Sequence, residues 1–296
     1  MPPSPNTSQP LSQLDELTRI NTHDLLKAFG LEQVKWGRQL LAILSWWPAR
    51  QFAHKIIRYD ALVGQAGLRT AGQWALQAFD ASLQISGQAN VPSTGPVLLL
   101  ANHPGMTDTV ALFASIARPD LRVIAASRPF LSALPHTSDK LIYIDEHANN
   151  NLAAIRATTN HLRNGGAILT FPAGQIEPDP AVLPGAIESL QNWSESIALF
   201  ARLAPATQIV PVLVSGVLSA KAQRTPLRWL RRAPKDQEWL ASTLQIIVPT
   251  YRPTMVQVAF GPPLIASQLL EGKGTALMNA VTTAMRSLIE TLYPKR

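Results

Sequence analysis

Six short apolar runs most constrain what this chain can fold into: Val97 to Ala101, Leu121 to Ala125, Leu141 to Ile144, Ala167 to Phe171, Ile209 to Val214 and Met255 to Phe260. Each has the length of a buried strand, and helical segments separate them. Strands alternating with helices argue for an α/β sheet. Leu83-Gln84-Ile85-Ser86-Gly87 reads as a further strand ahead of the series, and Leu244 to Val248 as another within it. The expected fold is α/β: a mixed, largely parallel central sheet flanked by helices, with an N-terminal helical region before it. Residues 1–10 are rich in Pro, Ser and Asn and are expected to be disordered. Residues 11–80 read as helical, punctuated near Gly30, Pro48 and Gly64 to Gly67, and residues 81–296 as the α/β domain.

The strand Val97 to Ala101 ends abruptly in Asn102-His103-Pro104-Gly105-Met106-Thr107-Asp108. After the Pro-Gly turn, Val110, Ala111, Phe113 and Ala114 suggest a helix that begins near Asp108. A carboxylate there can fold back on the His103 imidazole, orient it and stabilise its protonated form, which makes His103 a candidate general base. The spacing alone leaves two other readings open: Asp108 as a helix cap, and His103 as a satisfied core histidine. Other strand ends carry polar or glycine-rich exits, at Asp145 and at Phe171-Pro172-Ala173-Gly174. In open α/β sheets ligands gather at such carboxyl ends. The remaining histidines show no metal-ligand spacing, and no metal is expected.

Of the 296 residues, 46% are hydrophobic and 15% charged, as in a globular chain with a sizeable core. Lysines and arginines number 26 against 19 acids, a net charge of +7 that suits a polyanionic partner. The absence of cysteine excludes thiolate nucleophiles and disulfides. The start of the chain lacks a signal-peptide pattern, and the best apolar window, Gln39 to Ala49, is too short to span a bilayer.

Two stretches concentrate the positive charge. Lys35, Arg38, Arg50, Lys55 and Arg58 occur without an acid between them, beside a helical stripe of Trp36, Leu40, Leu44 and Trp47 that Phe52, Ile56 and Tyr59 continue. A Trp/Leu face with a basic rim suits a membrane interface, or a helix packed on the core. The second stretch is Lys221, Arg224, Arg228, Arg231, Arg232 and Lys235. It suits anionic lipid, an acidic carrier protein, the phosphates of a nucleotide-bearing thioester, or plain solvation. No nucleic-acid module accompanies the charge, so nucleic acid is not an expected partner.

Four blocks in order resemble the glycerolipid acyltransferase superfamily, which includes the lysophosphatidate acyltransferases. They are Asn102-His103 with Asp108, Tyr143-Ile144-Asp145, Phe171-Pro172-Ala173-Gly174 and Val210-Pro211-Val212, and the likeness runs from about Leu83 to Leu264. The resemblance implies transfer of a fatty acyl group from acyl-CoA or acyl carrier protein to a hydroxyl or amine of a lipid-like acceptor, without a resident cofactor. It implies catalysis by His103 and Asp108, and substrate contacts from Asn102, Asp145, Phe171, Pro172, Ala173 and Gly174, with Arg128 or Lys140 as candidate substitutes for arginines of the family pattern that this chain lacks. A peripheral association with the cytoplasmic side of a membrane bearing anionic lipid goes with that reading, and an inactive lipid-binding relative is the alternative to it.

The departures are specific. The family's third block usually reads Phe-Pro-Glu-Gly-Thr-Arg, and here Ala173 and Ile176 replace its Glu and Arg; Glu146 stands where the second block usually ends in Arg. Guanidinium groups at those positions are expected to grip an acceptor phosphate, so their loss argues for a changed acceptor. Asn102 is read as fixing the loop by hydrogen bonds, Gly174 as allowing close approach of the acceptor, and Glu177 as an exposed loop residue. Backbone N–H groups near Gly174 or at the helix start are candidate oxyanion donors.

Overall fold

The computed structural model of the chain describes residues 12–31, 38–145, 151–269 and 275–294. The expectation of disorder for residues 1–10, the contributions of Lys35 and Trp36, the side chains of Arg38 and Leu40, and Glu146 lie outside the described residues.

Eight strands form one sheet: β1 (Ala81–Ser86), β2 (Val97–Ala101), β3 (Arg122–Ala126), β4 (Leu141–Ile144), β5 (Ala167–Thr170), β6 (Gln208–Ser215), β7 (Thr254–Phe260) and β8 (Leu264–Ile265). The order is β1-β7-β6-β2-β5-β3-β4, with β8 also on β6. β2 to β6 run parallel, whereas β7 and β8 pair antiparallel with β6, and β1 runs parallel to β7. The sheet is therefore mixed and largely parallel. Seven longer helices accompany it among the described residues: α1 (Gln13–Ala28), α2 (Arg38–Ala78), α3 (Met106–Ser115), α4 (Leu152–Arg163), α5 (Ser196–Leu203), α6 (Pro234–Ile247) and α7 (Thr275–Leu292).

All five residues of β2 are wholly buried, which explains why this strand reads as a continuous apolar run. Its side chains alternate between two cores, as the two-residue period requires. Val97, Leu99 and Ala101 pack with α2 and α3 on one face. Leu98 and Leu100 pack with α4, α5 and α7 on the other. The result is three layers, helix on sheet on helix.

The second half of α2 belongs to the first of these cores through Leu68, Ala71, Ala75 and Leu76. Two contacts fix it there. The Asp60 carboxylate accepts hydrogen bonds from the Thr137 N–H and hydroxyl, both at 2.7 Å, at the short helical turn Pro135–Ser138. Gly72 lets α2 approach the α3 backbone, since a β-carbon there would stand 2.8 Å from Ala114 N and Val110 O.

Local expectations fail at two places. Helix α2 continues through the expected interruption at Pro48, whereas the one expected at Gly64 to Gly67 is present at Gly67, whose φ of +80° is non-helical. The run Leu244 to Val248 is not a strand; all but Val248 belongs to the last turn and a half of α6, an amphipathic helix that starts at Pro234 and buries Leu240, Ala241 and Leu244. A five-residue apolar run has no period of its own, and the upstream helix start decides its state.

Because α3 begins at the His103 loop, its seat on α2 bears on both stability and chemistry. Gly72→Ala is expected to destabilise the fold by about 1–3 kcal/mol, despite alanine's better helix propensity, because the added methyl meets backbone and not a movable side chain. A lowered urea midpoint together with reduced turnover checks this.

Candidate active site

At the end of β2 the main chain turns away from the sheet, and a side chain takes over its hydrogen bonding. Asn102 Nδ2 donates to Val214 O at 2.8 Å, and Val214 N donates to Asn102 Oδ1 at 2.7 Å, a two-way pairing with β6. The expected loop-fixing role of Asn102 is what the geometry displays. The next residue, His103, is held from the other side by Glu177. Its N–H donates to Glu177 Oε2 at 3.1 Å, and Glu177 N donates to the His103 carbonyl at 2.8 Å.

The His103 ring sits between a carboxylate and an aromatic face. Nδ1 lies 2.7 Å from Asp108 Oδ2, and the ring packs 4.4 Å from Phe171 at 32°. A carboxylate accepts and does not donate, so Nδ1 carries the proton and Nε2 keeps a lone pair. The histidine side chain is 27% exposed and that of Asp108 fully buried. Asp108 also accepts from Gly105 N at 2.9 Å and from the Thr109 hydroxyl at 2.9 Å. It stands in the first turn of α3, so the cap and the imidazole partner are one carboxylate serving both.

Burial works against a charged His103, but the negative charge and hydrogen bond of Asp108, with the charge of Glu177 behind the ring, outweigh it and raise its pKa above the usual 6.5. The contribution of this shift to stability is complete below pH 6.5 and is lost as pH rises through the raised, folded-state value.

Glu177 is the correction that matters most. It is buried, not exposed, and its Oε1 accepts from the Trp193 indole at 2.9 Å and from the Ser189 hydroxyl at 3.0 Å. Burial raises its pKa, against the hydrogen bonds from Trp193, Ser189 and His103. Two residues on, Asp179 is also buried and accepts from Gly216 N and Leu218 N, each at 2.9 Å, fixing the exit of β6. The sequence carried one faint signal for these residues: two acids set among Pro172, Pro178, Pro180 and Pro184, where a solvated loop gains nothing from that spacing.

The other expected contacts divide by position. Phe171 touches the ring, and the Pro172 carbonyl accepts from Ser194 N at 2.9 Å. Ala173 packs partly into the core beneath. Gly174 has φ +63°, its N–H donates to Phe171 O at 3.0 Å, and a β-carbon there would meet nothing within 4 Å. The turn requires glycine, the space above it is open, and its N–H is already bonded, so the oxyanion role does not fall to that group.

Arg128 and Asp145 follow β3 and β4 at the same sheet edge as His103, two and three strands away. At strand spacings of about 4.8 Å that is roughly 10 and 14 Å from β2. Lys140 stands apart from them. It precedes Leu141, whose register runs through Val123 and Leu169 to Leu99, so it lies toward the amino end of the sheet, paired with Asp139 at 3.0 Å. No group of three His, Cys, Asp or Glu able to hold a metal occurs among the described residues.

Glu177→Gln puts a donor where one of two N–H groups, from His103 or Trp193, needs an acceptor. It is expected to destabilise the protein by about 1–3 kcal/mol and to lower kcat more than KM, checked by denaturation and steady-state kinetics.

Residues 82–215 match the family described as Acyltransferase. A solved structure with a similar arrangement is the 1-acyl-sn-glycerophosphate (LPA) acyltransferase PlsC from Thermotoga maritima, 16% identical over 94% of this chain and 98% of that one, with a TM-score of 0.46. No curated protein matches significantly. The matched segment holds β2 to β6 whole together with His103, Asp108, Phe171 and Glu177. Residues 82–215 therefore carry the pattern of the Acyltransferase family.

Proposed function

We propose that the protein transfers a fatty acyl group from an acyl-CoA or acyl carrier protein thioester to the hydroxyl of a lipid-like acceptor at a membrane surface. The observation that carries this reading is the 2.7 Å bond between His103 Nδ1 and Asp108 Oδ2, which fixes the tautomer and leaves Nε2 as a base on a partly exposed ring. Nε2 takes the acceptor's hydroxyl proton as the oxygen attacks the thioester carbonyl. The tetrahedral intermediate collapses with cleavage of the C–S bond, and the imidazolium returns its proton to the departing thiolate. The first turn of α3, whose leading N–H groups have no intrahelical acceptor, is the candidate for stabilising the oxyanion.

An apolar cavity of about 80 Å³ supports the acyl-chain part of the reading. Phe52, Phe79, Val110 and Ile246 line it together with Met106 and Thr107, the residues just before Asp108. The acceptor side carries a different message. Ile176 is exposed and Ala173 is half-buried, so the β5 loop offers no guanidinium at the positions where the family has an acid and an arginine. An acceptor without a phosphate suits that surface better than lysophosphatidate.

Peripheral membrane association is supported by Ile43, Leu44, Trp46 and Trp47, which stand exposed in the early turns of α2. Beyond Pro48 the stripe turns inward, where Tyr59 is buried and Phe52 packs on Phe79. No helix among the described residues is long and apolar enough to cross a membrane.

The test is transfer from radiolabelled palmitoyl thioesters, in coenzyme A and carrier-protein forms, into a total lipid extract. Wild type is expected to label a lipid, and His103→Ala to lose about 10²–10⁴-fold or more of that rate while folding normally. Equal label from both proteins overturns the general base. No label from either, with folded protein, favours the lipid-binding relative. Because the base must be neutral, kcat/KM is expected to rise with pH through an apparent pKa above 6.5. Asp108→Asn is expected to move that limb to lower pH and to reduce kcat.

A further inference from the structure

Between β6 and α6 the chain makes the short turn Pro226–Leu230, whose apolar residues face solvent. Trp229 is 72% exposed, Leu230 63% and Leu227 47%. Three large apolar side chains within four residues are costly to leave in water unless something covers them. The turn is also braced from beneath. Arg228 donates to the Gln223 carbonyl at 2.6 Å and to Gln237 Oε1 at 3.1 Å, and Gln237 Nε2 donates to the Arg231 carbonyl at 3.0 Å. Arg231 pairs with Asp236 at 2.7 Å. These bonds use Arg228, Arg231 and the one acid between residues 221 and 237, and leave Lys221, Arg224, Arg232 and Lys235 exposed around the apolar tip.

The turn is continuous with the N-terminal helices. Arg231 Nη1 lies 3.4 Å from the Lys27 carbonyl at the end of α1, and Lys27 Nζ stands 5.7 Å over the Trp239 ring of α6. That end of α1 is where the chain passes to α2, whose first turns expose Ile43, Leu44, Trp46 and Trp47. The turn and the exposed start of α2, nearly two hundred residues apart in sequence, thus both rest on α1, the turn through Lys27 and α2 through Asn21, whose Nδ2 donates to the Ala49 carbonyl at 3.4 Å.

Building on the membrane reading above, we propose that the turn 226–230 is a second membrane-contact element, which seats with the start of α2 on an anionic bilayer. Leu227, Trp229 and Leu230 enter the headgroup region, and Lys221, Arg224, Arg232 and Lys235 meet lipid phosphates. Tryptophan and leucine with a lysine and arginine rim match the chemistry of that interface, apolar body inward and cations at the phosphate level. The shared footing on α1 favours a surface that accepts both elements at once, which a lipid bilayer does without any shape requirement. With the turn and α2 both engaged, the protein is oriented, not merely tethered.

The experiment is sedimentation of the full chain with vesicles of phosphatidylcholine alone and of phosphatidylcholine with phosphatidylglycerol at about three to one. Three variants accompany wild type, each with its thermal transition recorded: Trp229→Ser with Leu230→Ser, Arg232→Glu with Lys235→Glu, and Leu44→Ser with Trp47→Ser. The turn's apolar variant is expected to weaken partitioning about tenfold on anionic vesicles, and the charge reversal to weaken it there but not on phosphatidylcholine. Wild-type binding that both turn variants match, with only the α2 variant losing it, overturns the second element and keeps the membrane reading. Wild type that binds neither vesicle overturns both. Unchanged partitioning with a raised KM for the carrier-protein thioester alone overturns the proposal in favour of a carrier-protein site.

Discussion

The exit of β2 is pinned from both sides, and the position of the base depends on it. A strand buried in mid-sheet cannot simply stop, because its backbone groups and those of its neighbour need partners. The Asn102 amide supplies them to Val214, which frees the main chain to leave the sheet one residue before His103. Glu177 then takes both main-chain groups of His103, so the imidazole projects from a point fixed by β6 on one side and by the β5 loop on the other. Asp108 sets only the ring's rotation and tautomer. The base is thus defined by three buried polar side chains, Asn102 and Asp108 close to it in sequence and Glu177 from the distant β5 loop.

Those side chains create opposing demands on pH. Asp108 and Glu177 both favour an imidazolium, the state in which the pair contributes most to the fold. General-base chemistry needs the neutral ring. The same carboxylates that make the proton harder to remove at rest stabilise the imidazolium that forms once the acceptor has given up its proton. A site of this kind trades resting occupancy of the reactive state for a lower barrier after it is reached.

Much of this was legible in the sequence, for identifiable reasons. β2 begins and ends where its apolar run does, because a wholly buried parallel strand leaves no room for polar interruption, and the partly buried edge strand β4 also keeps the bounds of its run. His103 and Asp108 could be read as a pair, since they are five residues apart, whereas the packing of Phe171 on the ring emerges only from the pairing of β5 with β2. Glu177 could not. Its partners Ser189 and Trp193 end two helical turns too short to show a period, and an acid in a proline-rich loop looks solvated until the fold closes over it. Lys140 precedes β4, and in a parallel strand chain order alone puts it toward the amino end of the sheet, away from the exits of β2 and β5. The last turns of α6 failed because Leu244 to Val248 has strand composition and no local contradiction.

The β5 loop divides into two kinds of position within eight residues. Pro172, Glu177 and Asp179 face inward and are buried, while Gly174, Gln175 and Ile176 face outward. The inward set holds the exits of β2 and β6, so the scaffold is indifferent to what side chains stand at 175 and 176. Substrate preference and architecture are thereby separated along one short segment. A lineage carrying this loop is free to explore new acceptors by changing those two side chains, without renegotiating the bonds that keep its base in place.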